Sequence, residues 1–160
     1  MNPEHLHLAL NHFPIIGLAC ASVPLFLGIL KNSKIAIISG LCLALVSGWL
    51  TFAVMETGEN ASERYETAPI SNYLDGNFGH YLDIHEDRAE KGSKIMYAAA
   101  VLATLSLILV LRNIPAGRWV SIAVLMFCLL SAAAGIWIAD AGGKIRRPDF
   151  RSPPIALPQK

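Results

Sequence analysis

The chain has little charge. Of its 160 residues only 16% are Asp, Glu, Lys or Arg, while 54% are hydrophobic. An ordinary soluble domain carries about a quarter charged residues. The formal net charge is +1 at pH 7, with no basic stripe of the kind that tracks phosphates, so nucleic acid is not an expected partner. No Lys or Arg precedes Lys31, so a cleaved signal with a basic n-region is not expected. Cysteine is sparse. Cys20, Cys42 and Cys128 fall within apolar stretches; their spacing fits neither metal ligation nor a disulfide framework, and buried thiols packing as small hydrophobes are expected. Enzyme signatures are also missing. "HEDRA" has Ala89 where the second histidine of His-Glu-x-x-His belongs. No Ser or Cys stands with a histidine in a nucleophile motif.

What is present is four charge-free apolar stretches, at about residues 13–30, 35–55, 95–111 and 119–139. Each is long enough for a helix to cross roughly 30 Å of hydrocarbon. Lipid leaves backbone groups no partner but the helix itself. The expected fold is therefore all-α, a polytopic membrane protein with a four-transmembrane-helix bundle over residues 1–150. Lys31 to Lys34 and "RNIPAGR" are short turns, so the helices pair as two antiparallel hairpins. Residues 56–94 form a long extramembrane connection holding nine of the twelve acids. The Pro-rich tail, 151–160, is expected to be extended and could lie along a partner subunit.

Helix is expected inside the long connection too. Glu56, Glu59, Glu63 and Glu66 recur at steps of three and four, which aligns them on one stripe. "YLDGNFG", Tyr73 to Gly79, reads as a turn, and from His80 a helix runs on into the third span, with Gly92-Ser93 as a possible bend. Pro14 suits the first turn of the first span, and Asn11 suits its N-cap. The hairpins also look like a loose repeat. Each opens with His-x4-His, carries a late tryptophan (Trp49, Trp137) and closes on a glycine turn, "METGEN" and "DAGGKI".

All five histidines, His5, His7, His12, His80 and His85, stand at one end of the bundle and none lies within a span. A five-residue step on one helix turns about 140°, so neither His7 with His12 nor His80 with His85 makes a chelate alone. Ligation should run between helices, as cofactor sites in bundles do. Haem iron takes one axial ligand from each side. The expected haem b site draws on His7, His12, His80 and His85, with His12 and His85 the favoured axial pair. Arg146 and Arg147 return to this face and could meet the propionates. The rival is a non-haem Fe, Cu or Zn site built from His7, His12, Glu59, Glu63, His85 and Glu86.

"HLALNHFPI" resembles the opening of a bacterial family of four-helix membrane proteins without an assigned activity. Its members begin His-Pro-x-x-Val-His-Phe-Pro, with Gly-Glu-x-Ala-Glu after the second span and His-Glu before the third. This chain matches through His7, His12, Phe13 and Pro14, then Gly58, Glu59, Ala61 and Glu63, then His85 and Glu86. It departs at Leu8, at Asn11 and at Ser62, which offsets the second glutamate. The resemblance implies a bacterial cytoplasmic (inner) membrane protein whose histidine–glutamate face acts together; it implies no particular cofactor.

The leading expectation is thus a cytochrome-like electron-transfer protein working with a redox partner or quinone. The alternatives are a non-haem metal protein and an accessory subunit of a larger membrane complex. Both termini share the histidine face. The larger count of Lys and Arg on the histidine face favours the cytoplasm for it, but the short turns are basic and acid-free, and the basic residues of the histidine face can have ligand or acid partners, so that face is expected to be exoplasmic.

Overall fold

A computed structural model describes residues 2–67 and 75–151. It is an all-α bundle. Helix α1 (Pro3–Leu10) leads into α2 (Phe13–Leu30), α3 (Lys34–Thr67), α4 (Phe78–Leu111) and α5 (Ala116–Arg146), and a short 3-10 turn spans Pro148–Phe150. Four helical segments are long and apolar enough to cross a membrane, the first formed by α1 and α2 together. The neighbours run α2–α3–α4–α5 and back to α2, and α1 packs on α3.

The helices outrun the apolar stretches on one side. α3 carries its glutamate stripe one continuous helix beyond the span, and α4 starts at Phe78 and passes unbroken through Gly92-Ser93. Two of the seven residues of the expected turn, Tyr73 and Leu74, lie outside the described residues. Gly76 and Asn77 form a turn, with Phe78 N–H on Asp75 O and Asn77 N–H on Asp75 Oδ1, while Phe78 and Gly79 already open α4. Asn11 does not open α2. It closes α1, its N–H bonded to His7 O at 2.8 Å, and a two-residue turn, Asn11 and His12, precedes Pro14 in the first turn of α2.

Both short turns are built alike. Asn32 and Asn113 adopt φ of 51° and 57°, the left-handed conformation that closes many helices. Ser33 N–H reaches back to Gly28 O, and Ile114 N–H to Leu109 O, each at 2.9 Å. Lys34 Nζ donates to Asn113 Oδ1 at 2.7 Å, and Arg118 to Asn32 Oδ1. The two turns therefore hold each other at the end opposite the histidines.

Large apolar side chains such as Phe26, Phe52 and Ile136 point outward, as a lipid-facing surface requires. Lipid gives helices no hydrophobic reason to associate, so close packing of small residues and interhelical hydrogen bonds take over. Ala21, Ala44, Ala99 and Ala103 are fully buried. Ser106 and Ser121 share a 2.8 Å hydroxyl contact, and Ser121 also bonds Gly117 O. Cys128 joins this core, but Cys20 and Cys42 are exposed on the outer surface. The expectation of three buried thiols holds for Cys128 alone. A uniformly apolar helix carries no mark of which face turns inward.

The two hairpins repeat one burial pattern. Pro14, Leu18, Ala21, Leu25 and Gly28 of α2 correspond to Gly92, Met96, Ala99, Ala103 and Ser106 of α4 at a constant separation, and all ten are buried. Ile37, Gly40, Ala44, Ser47 and Thr51 of α3 correspond likewise to Ser121, Val124, Cys128, Ser131 and Gly135 of α5, all buried. In this register His7 pairs with His85, and Trp49 does not pair with Trp137.

Trp119 and Trp137 are both exposed along α5. Eighteen residues of helix separate them by about 27 Å, close to the hydrocarbon thickness whose two boundaries tryptophan favours.

Candidate functional site

At the histidine end the bundle opens into a cavity of about 1040 Å³. This is the upper end of the range for small-molecule and cofactor pockets, roughly 300–1,000 Å³. Pro14, Ile15, Thr51 and Met96 line it, and Glu59, Glu63 and Glu86 line it as well. The Thr51 hydroxyl lies 3.7 Å from Met96 Sδ, which ties α3 to α4 beside the cavity. Asn11 also lines it, and its buried side-chain oxygen meets no partner among the described residues.

His7 reaches the cavity from α1 and His85 from α4. Each ring is half-buried and held the same way. His7 Nδ1 lies 3.1 Å from Val54 O on α3, and His85 Nδ1 lies 3.2 Å from Ile138 O on α5. A carbonyl only accepts, so each Nδ1 must carry the hydrogen. In the neutral ring that leaves Nε2 as a bare lone pair. Ligating histidines in metalloproteins are fixed in this manner, with the far nitrogen donating to a carbonyl or carboxylate.

The other expected residues divide. His12 is exposed and lines the cavity; His80 is exposed, lies edge-on to Tyr81 and does not line it. His7 belongs to α1 and His12 to the two-residue turn that follows it, while His80 and His85 share one helix at a five-residue step, which turns about 140°. Arg146 lines the cavity, and its Nη2 donates to Tyr65 Oη at 2.7 Å. Arg147 turns away to Asp149, with contacts of 2.7 and 2.9 Å, and lies over the Phe150 ring. This hydrogen-bonded pair holds the Asp149 carboxyl below its ordinary range. All six residues of the metal alternative line the same cavity. Among the described residues, however, no three His, Cys, Asp or Glu side chains come together as a metal-holding group.

Three features escaped the sequence reading. Gly58 and Gly142, taken as turn signals, are helical and lie against the rings of His7 and His85. Glu4 and His7 stand at the Glu-x-x-His spacing of di-iron bundles, but Glu4 pairs with Arg64 at 3.1 Å. Arg151 is 2% exposed. Its guanidinium donates to Lys144 O, Ile145 O and Asp75 Oδ2 and lies 4.3 Å from the Tyr81 ring. Helix ends need partners for their last carbonyls, and Arg151 serves the end of α5 while tying it to the start of α4. The expectation of an extended tail otherwise falls on 152–160, outside the described residues.

The fold and site define a multi-pass helical membrane protein with a polar-mouthed cavity at one end. No protein-family model, curated protein or solved structure matches the chain.

Proposed function

We propose that this chain is a cytochrome-like electron-transfer protein that holds haem b at one membrane face, with His7 and His85 as axial ligands. The carrying observation is the pair of imidazoles on one cavity, each with Nδ1 committed to a helix carbonyl and with no partner on Nε2 among the described residues. A porphyrin supplies four donors of its own, so two imidazoles complete the iron's coordination. A bare metal asks the protein for three or four ligands, which the described residues do not bring together. The cavity volume suits a macrocycle, and Arg146 at the cavity offers a cation to a propionate. Bound haem would supply one-electron iron chemistry. The chain's own part would be to fix both imidazoles and to shelter the group within the cavity, from which electrons would pass to a redox partner or quinone.

The second reading, a non-haem Fe, Cu or Zn site, is favoured by Glu59, Glu63 and Glu86 on the same cavity. Metal analysis with absorption spectroscopy separates the two. The haem reading expects iron matched by porphyrin absorbance. A stoichiometric metal without porphyrin, lost in Glu59→Ala, would replace it with the second.

For orientation we propose a bacterial inner membrane with the histidine face outside the cytoplasm. Several cations of that face are ion-paired: Arg64 with Glu4, Arg88 with Asp140, Lys91 with Asp87 and Lys94 with Glu90. Among the described residues the cations of the short turns pair with no carboxylate. Labelling of a cysteine introduced at Asn113 by an impermeant reagent in intact cells would contradict this orientation; protection would agree with it.

A further inference from the structure

We infer that each hairpin builds a complete ligand cradle of three parts: an imidazole, a helix carbonyl that takes its Nδ1–H, and a glycine one turn beyond that carbonyl. Gly58 and Gly142 are the positioning residues that decide where Nε2 of His7 and of His85 points. What the rings are positioned for rests on the haem reading; the cradle itself does not.

The geometry is the same twice. Val54 and Gly58 are four apart on α3, and Ile138 and Gly142 are four apart on α5. In an α-helix the carbonyl of the first residue already accepts the N–H of the second. The carbonyl has a second lone pair, and the imidazole takes it; at Val54 the Thr57 hydroxyl also lies 3.1 Å from this oxygen, but its nearer acceptor is Ala53 O at 2.8 Å. The ring must then approach past the residue four positions on. A Cβ at Gly58 would lie 3.0 Å from His7 Cε1 and 3.1 Å from Nδ1; one at Gly142 would lie 3.1 and 3.2 Å from the same atoms of His85. Ordinary contact begins near 3.4 Å. Alanine at either position therefore pushes the ring at the atom between its two nitrogens. The Nδ1–H···O bonds, already 3.1 and 3.2 Å long, lengthen, and Nε2 swings.

Glycine is a poor residue for the middle of a helix. Finding it at matching positions of both hairpins, each time against a histidine bonded one turn back, is not what helix formation asks for. It is what two equivalent ring seats ask for. Because alanine is the better helix former, Gly58→Ala and Gly142→Ala keep their helices, and the change falls on the rings. Gly79→Ala is the control, since no atom of the described residues lies within 4 Å of a Cβ placed there.

The test uses the full chain, labelled with 15N-histidine, in detergent and without haem. The signals of His7 and His85 are assigned by His7→Gln and His85→Gln. With imidazole neutral, both rings should show protonated Nδ1 and bare Nε2. Gly58→Ala should shift only the His7 ring towards the mixed tautomers of a free imidazole, and Gly142→Ala only the His85 ring. Haem titrated into each alanine variant should bind roughly 10–100-fold more weakly than to the wild type, as for lost supporting groups in other metal sites. Wild-type rings protonated at Nε2, or alanine variants with wild-type ring signals, overturn the cradle. If the tautomers are as expected but haem does not bind, the cradle stands and the haem reading falls. If haem binds the wild type and both alanine variants equally, the haem reading stands and the glycines have no positioning role.

Discussion

Replacing Gly48 by alanine tests whether the two hairpins meet as closely as the site requires. The added Cβ would fall 2.7 Å from Ala100 Cβ and 3.1 Å from both Ala100 Cα and Met96 O. Two of these three atoms belong to the α4 backbone, so no side-chain rotation relieves the clash. α3 and α4 must separate by several tenths of an ångström to restore ordinary contact. Overpacking of this kind costs about 1–3 kcal/mol. Alanine's better helix propensity returns at most about 1 kcal/mol, which leaves a net loss of up to about 2 kcal/mol against wild type and about 1–3 kcal/mol against a site that gains the propensity without the clash. Gly79→Ala gains the propensity without the clash, so it should equal or exceed wild type by up to about 1 kcal/mol. Reversible unfolding in mixed micelles, followed by tryptophan fluorescence and helical circular dichroism, measures both. A Gly48→Ala protein as stable as the Gly79→Ala protein would refute the close α3–α4 packing. With it would go the argument that small residues set the spacing of the two ring seats.

Two further outcomes follow from other parts of the fold. Asn32→Ala should lose about 1–2 kcal/mol because a Cβ is strained in the left-handed region, whereas Asn32→Gly should lose less; the same unfolding assay decides, and equal losses would contradict the turn geometry. Arg151→Met should strip two carbonyls at the end of α5 of their donor and cost about 1–3 kcal/mol; hydrogen exchange should quicken in the last turn of α5, and unchanged exchange there would show that Arg151 is not the cap.

The four spans were legible because lipid imposes long stretches without charge, and the sequence carries four of them. The extension of α3 and α4 beyond the membrane was legible too, since the glutamates recur at helical steps. The inner faces were not. In α2 both Cys20 and Ala21 sit among apolar neighbours, and only the packed bundle shows Ala21 buried and Cys20 outward. The histidine face was readable as a group, but not which pair shares the cradle geometry. His12 was favoured with His85 from their place before the spans. The structure puts His7 and His85 in equivalent positions, because α1 packs on α3 and sets His7 against Val54 O. Gly58 and Gly142 were misread for a physical reason. Glycine often marks the end of a helix, but here both helices run on past the apolar stretches and the glycines mark the close approach of a ring. Arg151 gave no local signal, since its partners lie on Asp75, Tyr81 and the end of α5.

The most direct test of the central claim is the absorption spectrum of the purified protein after saturation with haem, oxidised and then reduced. Two imidazole ligands predict a Soret band and a sharp α-band on reduction. Both bands should be lost or severely weakened in His7→Ala and in His85→Ala, and kept in His80→Ala, whose ring does not line the cavity. A folded wild-type protein that stays colourless, or one whose bands survive the loss of both His7 and His85, would contradict the account.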